Sequence, residues 1–263
     1  CTECKQRNYN TMKNKKNKEL AVCGFEAVKA LEKNNFEMIQ RLYFTADRAP
    51  LFGGLCKKLA AKKVPYNLVQ DGKELEKLCG SVHHQGVVAM IPQPEITPLT
   101  NTIVNGWIER GESALLMDRV GNANNLGAII RSAAFFGMKN IIIPVDEAQS
   151  SITTSSYRVA QGGMEKVNMF SVSSISHLLS DVKDKILCFG TDVRGKMPIS
   201  EIAPLCKKEK KSCIIVMGNE EHGISDEVRE NCQYLVTIPT KMQNMESLNV
   251  AQAAAIILYE VSK

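Results

Sequence analysis

The sequence predicts an α/β protein, and three observations carry that prediction. Short apolar runs of strand length alternate with segments of helical spacing from residue 19 to the C-terminus. The stretch "PQPEITPLTN" puts three prolines into ten residues and divides this alternation into a smaller and a larger part. In the larger part, polar clusters stand where the strands end, the position at which open parallel sheets bind ligands.

Residues 1–18 are predicted to be a basic flexible arm, because they hold too few apolar residues to build a core. They carry six Lys and Arg against one Glu, which is the whole of the net charge of +5. The body after residue 18 is therefore neutral, and any nucleic acid bound there must meet a local patch. Cys1 and Cys4 form half of a zinc knuckle without the second ligand pair that structural zinc requires, so no metal is expected.

Residues 19–92 read as a small layered domain. "ELAVCGFEAVKALEKN" has helical spacing, with Ala21, Phe25, Val28 and Leu31 on one face. "IQRLYFTA", "PYNLVQ" and "QGVVAMIP" read as strands, and "LFGGLCKKLAAKK" and "DGKELEKLCG" as helices. Residues 93–112 read as a linker that includes the helix "TIVNGWIER", with Trp107 packing at the junction. From residue 113 the strands "SALLMD", "NIIIP", "KILCFGTD", "SCIIVMG" and "YLVTIP" alternate with the helices "NNLGAIIRSAAFFG" and "SSISHLLSDV", and an apolar helix closes the chain. Such short apolar strands indicate a mostly parallel sheet covered on both faces.

The composition excludes several classes. Hydrophobic residues make up 44% and charged residues 23%, as in ordinary globular proteins. No uncharged apolar run reaches the roughly 18 residues of a membrane span, and no secretory pattern opens the chain, so a cytoplasmic location is the default expectation. Nine scattered cysteines suit reduced, mostly buried thiols better than a disulfide framework. "GTDVRGKM" approaches a phosphate-binding P-loop, but Met197 stands where Ser or Thr must bind magnesium and Pro198 follows. A dinucleotide fingerprint is absent, and the four histidines lack ligand spacing.

Three strand-end segments remain, each with two readings. In "MDRVGNANNLGAIIRSA", Asn124 or Asn125 caps a helix and Arg131 is a snorkelling surface residue, or Asn125 and Arg131 belong to a site; an Arg in so apolar a helix is usually paired or faces a cleft. In "IIVMGNEEHGIS", Gly218 before Asn219 and Glu220 opens an ordinary turn or permits close backbone approach to a ligand. In "VTIPTKMQNMESLNVAQAAAI", Ser247 caps the last helix or, with Asn249, borders a site.

Taken together and in this order, the three segments resemble the motifs of the SpoU/TrmH family of RNA ribose 2'-O-methyltransferases, of the SPOUT class. The similarity covers residues 113–263, through "NNLGAIIRSA", "GNEEHGIS" and "IPTKMQNMESLNVAQAAAIILYE". Residues 19–92, ending in "HHQGVVA", resemble the family's ribosomal-protein-like RNA-binding domain. The resemblance implies a C-terminal trefoil knot, a homodimer and S-adenosylmethionine as cofactor, held by the backbone around Gly218, Ile238 and Leu248 with Thr191 as a fourth contact. It implies a catalytic set of Arg131, Asn125, Glu220, Ser247 and Asn249, and structured RNA, rRNA rather than tRNA, as substrate. The competing expectation is a non-catalytic RNA- or ribosome-binding member of the same fold. Where the family often has Asp-Pro, this chain has Asn122-Ala123.

Overall fold

The computed structural model describes residues 19–146, 148–241 and 247–263. Cys1, Cys4 and the expected arm lie outside the described residues. The chain forms two compact units: one ends at Glu95 but takes in Ile152–Glu165, and the other comprises Ile96–Ser151 and Lys166–Lys263.

In the first unit the strands β1 (Glu19–Cys23), β2 (Arg41–Thr45), β3 (Tyr66–Val69) and β4 (Val87–Pro92) form a sheet of order β1-β4-β2-β3. The pairings β1–β4 and β4–β2 are antiparallel and β2–β3 is parallel. Helices α1 (Phe25–Asn34), α2 (Gly53–Ala61) and α3 (Gly72–Cys79) follow β1, β2 and β3. Here the structure corrects the expectation of a helix from residue 19. "ELAVC" is a strand, because Leu20 to Cys23 are all buried and Ala21 and Cys23 pack with Leu75 and Cys79. Gly24, at φ 99°, ends the strand, and only Val28 and Leu31 keep the expected inward helical face. A short helix the sequence did not signal, α6 (Thr154–Ala160), packs against β1.

The second unit holds, among the described residues, an eight-stranded sheet of order β10-β12-β9-β11-β6-β7-β8-β5. Its strands are β5 (Thr97–Pro98), β6 (Ala114–Met117), β7 (Asn140–Pro144), β8 (Asn168–Val172), β9 (Leu187–Thr191), β10 (Met197–Pro198), β11 (Cys213–Met217) and β12 (Tyr234–Thr237), and every pairing is parallel. Its helices are α4 (Asn101–Arg110), α5 (Ala123–Phe135), α7 (Ile175–Val182), α8 (Ile202–Glu209), α9 (Asp226–Asn231) and α10 (Val250–Val261). The central strands β6 and β11 are wholly buried, which is why they read as continuous apolar runs. Trp107 is not a junction residue: it lies in this unit's core, edge-on to Phe170 at 5.2 Å. Residues 96–112 accordingly supply β5 and α4 to this unit.

The sheet order places the site. Strands β12, β9, β11 and β6 are neighbours, so their carboxyl ends bring Ile238, Thr191, Gly218 and the loop after Met117 to one edge. Helix α10 packs along α5, with Tyr259 and Phe136 rings 6.0 Å apart.

Candidate active site

The loop after β6 begins with Asp118, buried at 2% exposure. Its Oδ1 accepts from the Arg119 Nε at 2.9 Å, and its Oδ2 from the Ser225 N–H at 2.6 Å. Arg119 holds left-handed backbone, φ 61°, a strained conformation for a side chain of this size. Two bonds hold it there: its guanidinium to Asp118, and its carbonyl to the Asn219 Nδ2 at 2.8 Å. The hydrogen bond from Asp118 raises the Arg119 pKa further above its ordinary value.

Helix α5 starts at Ala123, four residues after Arg119, and is capped by Asn122, whose Oδ1 accepts from the Asn124 and Asn125 N–H groups at 2.8 and 3.3 Å. The expected caps, Asn124 and Asn125, are inside the helix. Asn122 thus performs the capping that an Asp would, and Ala123 occupies the first helical position, where Pro is tolerated. Freed from capping, the Asn125 Nδ2 donates to Glu220 Oε1 at 2.8 Å. The N–H groups of Gly121 and Asn122 each donate to the same carboxylate at 3.3 Å. Burial opposes ionisation of Glu220, but the bonds from Asn125 and from backbone N–H groups outweigh it and hold the carboxyl below its ordinary range.

Glu220 stands in a tight turn. The Asn219 and Gly223 backbones bond to each other at 2.9 and 3.0 Å, and Asn219 Oδ1 accepts from the Glu221 and His222 N–H groups. This turn folds back on Gly218, where a Cβ would lie 2.2 Å from the Gly223 carbonyl carbon. Gly218 is therefore demanded first by the chain's own backbone, whatever ligand it also meets.

The third segment joins the same set. Asn249 caps α10 through its Oδ1, which accepts from the Ala251 N–H at 2.9 Å, while its Nδ2 donates to Asn125 Oδ1 at 3.2 Å. The cap expected at Ser247 is thus two residues further on. One continuous line of hydrogen bonds runs Asn249–Asn125–Glu220.

Beside it lies a cavity of about 710 Å³, lined by Thr191, Gly218, Glu220, Ile238, Ser247 and Leu248 of the expected residues. Val236 and Ile257 supply further apolar wall. Asn125, Arg131 and Asn249 are outside this lining. Arg131 is exposed on α5, and among the described residues its guanidinium makes no hydrogen bond or ion pair. Within the described residues Arg131 is therefore unpaired and exposed, as the surface reading of it has it. The sequence also gave no sign of Asp192 and Arg229, which line the cavity as an ion pair with side chains 4% and 24% exposed. Asp192 Oδ1 also takes the Arg194 N–H at 2.8 Å.

Cys23, Cys79, Cys188 and Cys213 are buried and free, and burial pushes Cys188 and Cys232 up to about 12.

A parallel sheet with a cavity at its carboxyl ends, bordered by a carboxylate and two amide side chains, has the arrangement in which open α/β domains bind small molecules. Residues 112–259 match the SpoU rRNA Methylase family, and residues 21–97 match the family described as RNA 2'-O ribose methyltransferase substrate binding. The chain belongs to the SpoU rRNA methylase family. It is 36% identical over 193 residues to the 23S rRNA (guanosine-2'-O-)-methyltransferase RlmB of Acinetobacter baylyi, covering 72% of this chain and 75% of that one. It is 30% identical to the protein of the same name from Ralstonia nicotianae, covering 92% of this chain and 95% of that one. Among solved structures, an AdoMet-bound rRNA methyltransferase from Sinorhizobium meliloti shares the fold with a TM-score of 0.74 at 21% identity, over 97% of this chain and 92% of that one. The SpoU methyltransferase AviRb of Streptomyces viridochromogenes, in complex with AdoMet, gives 0.72 at 22% identity, over 98% and 96%.

Proposed function

We propose that this chain transfers a methyl group from S-adenosylmethionine to a ribose 2'-hydroxyl of ribosomal RNA. The observation that carries the reading is the hydrogen-bonded set Glu220–Asn125–Asn249 beside the cavity. A merely structural fold has no need of a carboxylate held by three donors at a cavity edge. The curated names of the relatives point to a guanosine of 23S rRNA as the first nucleotide to test.

The residues present fit the cofactor. The cavity volume lies within the usual range for small-molecule sites, about 300–1,000 Å³. Ile238, Leu248, Val236 and Ile257 offer apolar surface to a flat base, and Asp192, Arg194 and Arg229 offer charge to its polar end. When bound, S-adenosylmethionine supplies an electrophilic methyl on a sulfonium. What the protein must add is alignment, which in favourable cases removes about 7–11 kcal/mol from a barrier, and relief of the 2'-hydroxyl proton.

Arg131 cannot accept that proton, since its guanidinium is already protonated and has no acceptor site. Its role in this reading is to clamp an RNA phosphate and stabilise the developing alkoxide, with phosphate or water taking the proton. Its exposure and lack of a partner among the described residues support that use. Glu220, Asn125 and Asn249 hold the first turn of α5, the helix from which Arg131 projects six residues further along, and in this reading Ser247 borders the ribose. Arg131→Lys keeps charge but loses the planar fork; methylation at the wild-type rate would sink the clamp.

The trefoil knot belongs to the same proposal. Its support is the close passage of the loop after β9 over β12, where a Cβ on Gly195 would lie 2.7 Å from Val236 backbone. A homodimer through α5 and α10 is likewise proposed, supported by exposed Phe135, Ile256 and Tyr259 on these two packed helices. Sedimentation at micromolar concentration tests it, and a monomer would refute it. Cytoplasmic residence follows from the substrate; among the described residues no helix is long and apolar enough to cross a membrane.

Mapping ribose methylation across total RNA, with and without the gene, tests the whole reading. Loss of a single rRNA mark is expected, and a mark lost from tRNA would overturn the substrate.

A further inference from the structure

We propose that Gln149 is a positioning residue of the methyl-transfer site, holding in place the loop whose N–H groups bind Glu220. This rests on the role assigned to Glu220 above. Gln149 is one of the few buried polar side chains of its unit, at 8% exposure. Its carboxamide closes a two-bond ring on Val120. Nε2 donates to the Val120 carbonyl at 3.0 Å, and Oε1 accepts from the Val120 N–H at 3.0 Å. Nε2 also donates to the Ser150 carbonyl at 3.2 Å, and the Ser150 N–H reaches the Val120 carbonyl at 2.9 Å.

The pairing has a physical need behind it. Val120 is fully buried and lies past the end of β6, where the sheet no longer supplies hydrogen bonds. Its N–H and carbonyl must find partners, because buried backbone groups are rarely left without them. A carboxamide has one donor end and one acceptor end, and here both are used on one residue. Asparagine, one methylene shorter, would not span the same backbone.

The next two amides along the chain, Gly121 and Asn122, are the ones that donate to Glu220. Gly121 is also pressed against the clamping segment: a Cβ there would lie 3.1 Å from the Ala148 carbonyl oxygen. The orientation of two of the three donors to Glu220 is thus set by a side chain that touches neither Glu220 nor the cavity lining. The anchor also stands just before Ile152, where the chain leaves the second unit for the first.

The experiment compares the full-length wild type with Gln149→Met, which keeps the volume but loses both bonds, and with Gln149→Glu. The glutamate keeps the acceptor toward the Val120 N–H and turns the donor into a second acceptor facing the Val120 carbonyl. Two readouts are taken: amide hydrogen exchange at Gly121 and Asn122, and single-turnover methyl transfer to ribosomal RNA alongside calorimetric titration with S-adenosylmethionine. Faster exchange at both amides in both variants is expected. The transfer rate should fall about tenfold or more, the scale of one or two misplaced hydrogen bonds, while cofactor affinity stays within about twofold. Unchanged exchange at Gly121 and Asn122 overturns the proposal. So does a rate loss matched by an equal loss of cofactor affinity, which would indicate a collapsed cavity. A wild type that leaves no 2'-O-methyl mark refutes the proposed function instead; exchange then still decides whether Gln149 positions the donors of Glu220.

Discussion

Replacing Asn125 with Ala removes the shortest bond to Glu220, 2.8 Å from its Nδ2, and leaves the two backbone bonds at 3.3 Å. A hydrogen bond to a charged group is worth about 1.5–3 kcal/mol. Glu220 is exposed, so solvent screening reduces this to about 1–1.5 kcal/mol. The substitution also takes the acceptor from the Asn249 Nδ2, a neutral bond of 3.2 Å worth about 0.5 kcal/mol. If the set acts in the transition state, kcat should fall about 10- to 30-fold. Glu220→Gln should cost a similar amount, because one carboxamide end would turn an N–H toward a donor. The double variant should be less impaired than the sum by about 1 kcal/mol, since both changes break the same bond. The assay is single-turnover transfer of a labelled methyl group to ribosomal RNA at saturating cofactor. Strictly additive losses, or an Asn125→Ala variant at the wild-type rate, would refute the reasoning.

Acid should reveal the same bond in stability. The folded Glu220 carboxyl titrates below its ordinary value, so its stabilisation is present above the unfolded value and lost as pH falls through the folded one; the stability gap between wild type and Asn125→Ala, from urea unfolding, should hold at neutral pH and narrow only as the pH falls below the ordinary carboxylate range. Asn249→Asp keeps the cap of α10 but not the donation to Asn125, so the melting temperature should hold while the rate falls; Asn249→Ala should lose both, with about 1 kcal/mol of stability. Gly218→Ala puts a Cβ 2.2 Å from Gly223 backbone, and calorimetry should show cofactor binding weakened about tenfold or more as the turn is displaced. Arg229→Met leaves the buried Asp192 carboxylate with Arg194 alone, and chemical unfolding should register a loss of about 1–2 kcal/mol, less than for a fully buried pair left without any partner.

Much of the architecture was legible because strand burial writes itself into composition. Parallel strands covered on both faces must be apolar throughout, so β6, β7, β9 and β11 stood out as runs. The strand β1 failed for the same reason in reverse: the short apolar run Leu20–Cys23 suits a buried strand or helix equally, and pairing with β4 decided it. α6 and β8 were missed because they carry polar residues, Ser155, Ser156, Asn168 and Ser171, at positions where a periodic signal needs apolar ones.

The site divided along a similar line. By itself the sequence determined which residue types stand at the strand ends, because Asn125, Glu220 and Asn249 flank apolar runs that end visibly. It also determined that Gly218 is special, though not that its own turn is the reason. Which asparagine caps and which is free for Glu220 was settled only in three dimensions. Capping depends on the dihedral angles of one residue, and Asn122, Asn124 and Asn125 offer the same chemistry to within a turn. The Asp192–Arg229 pair and the Gln149 clamp were likewise invisible, since each joins residues far apart in the chain whose meeting follows from the order of the strands. Local chemistry is carried by the chain in one dimension; a hydrogen bond between distant segments exists only once parallel strands have set their carboxyl ends side by side.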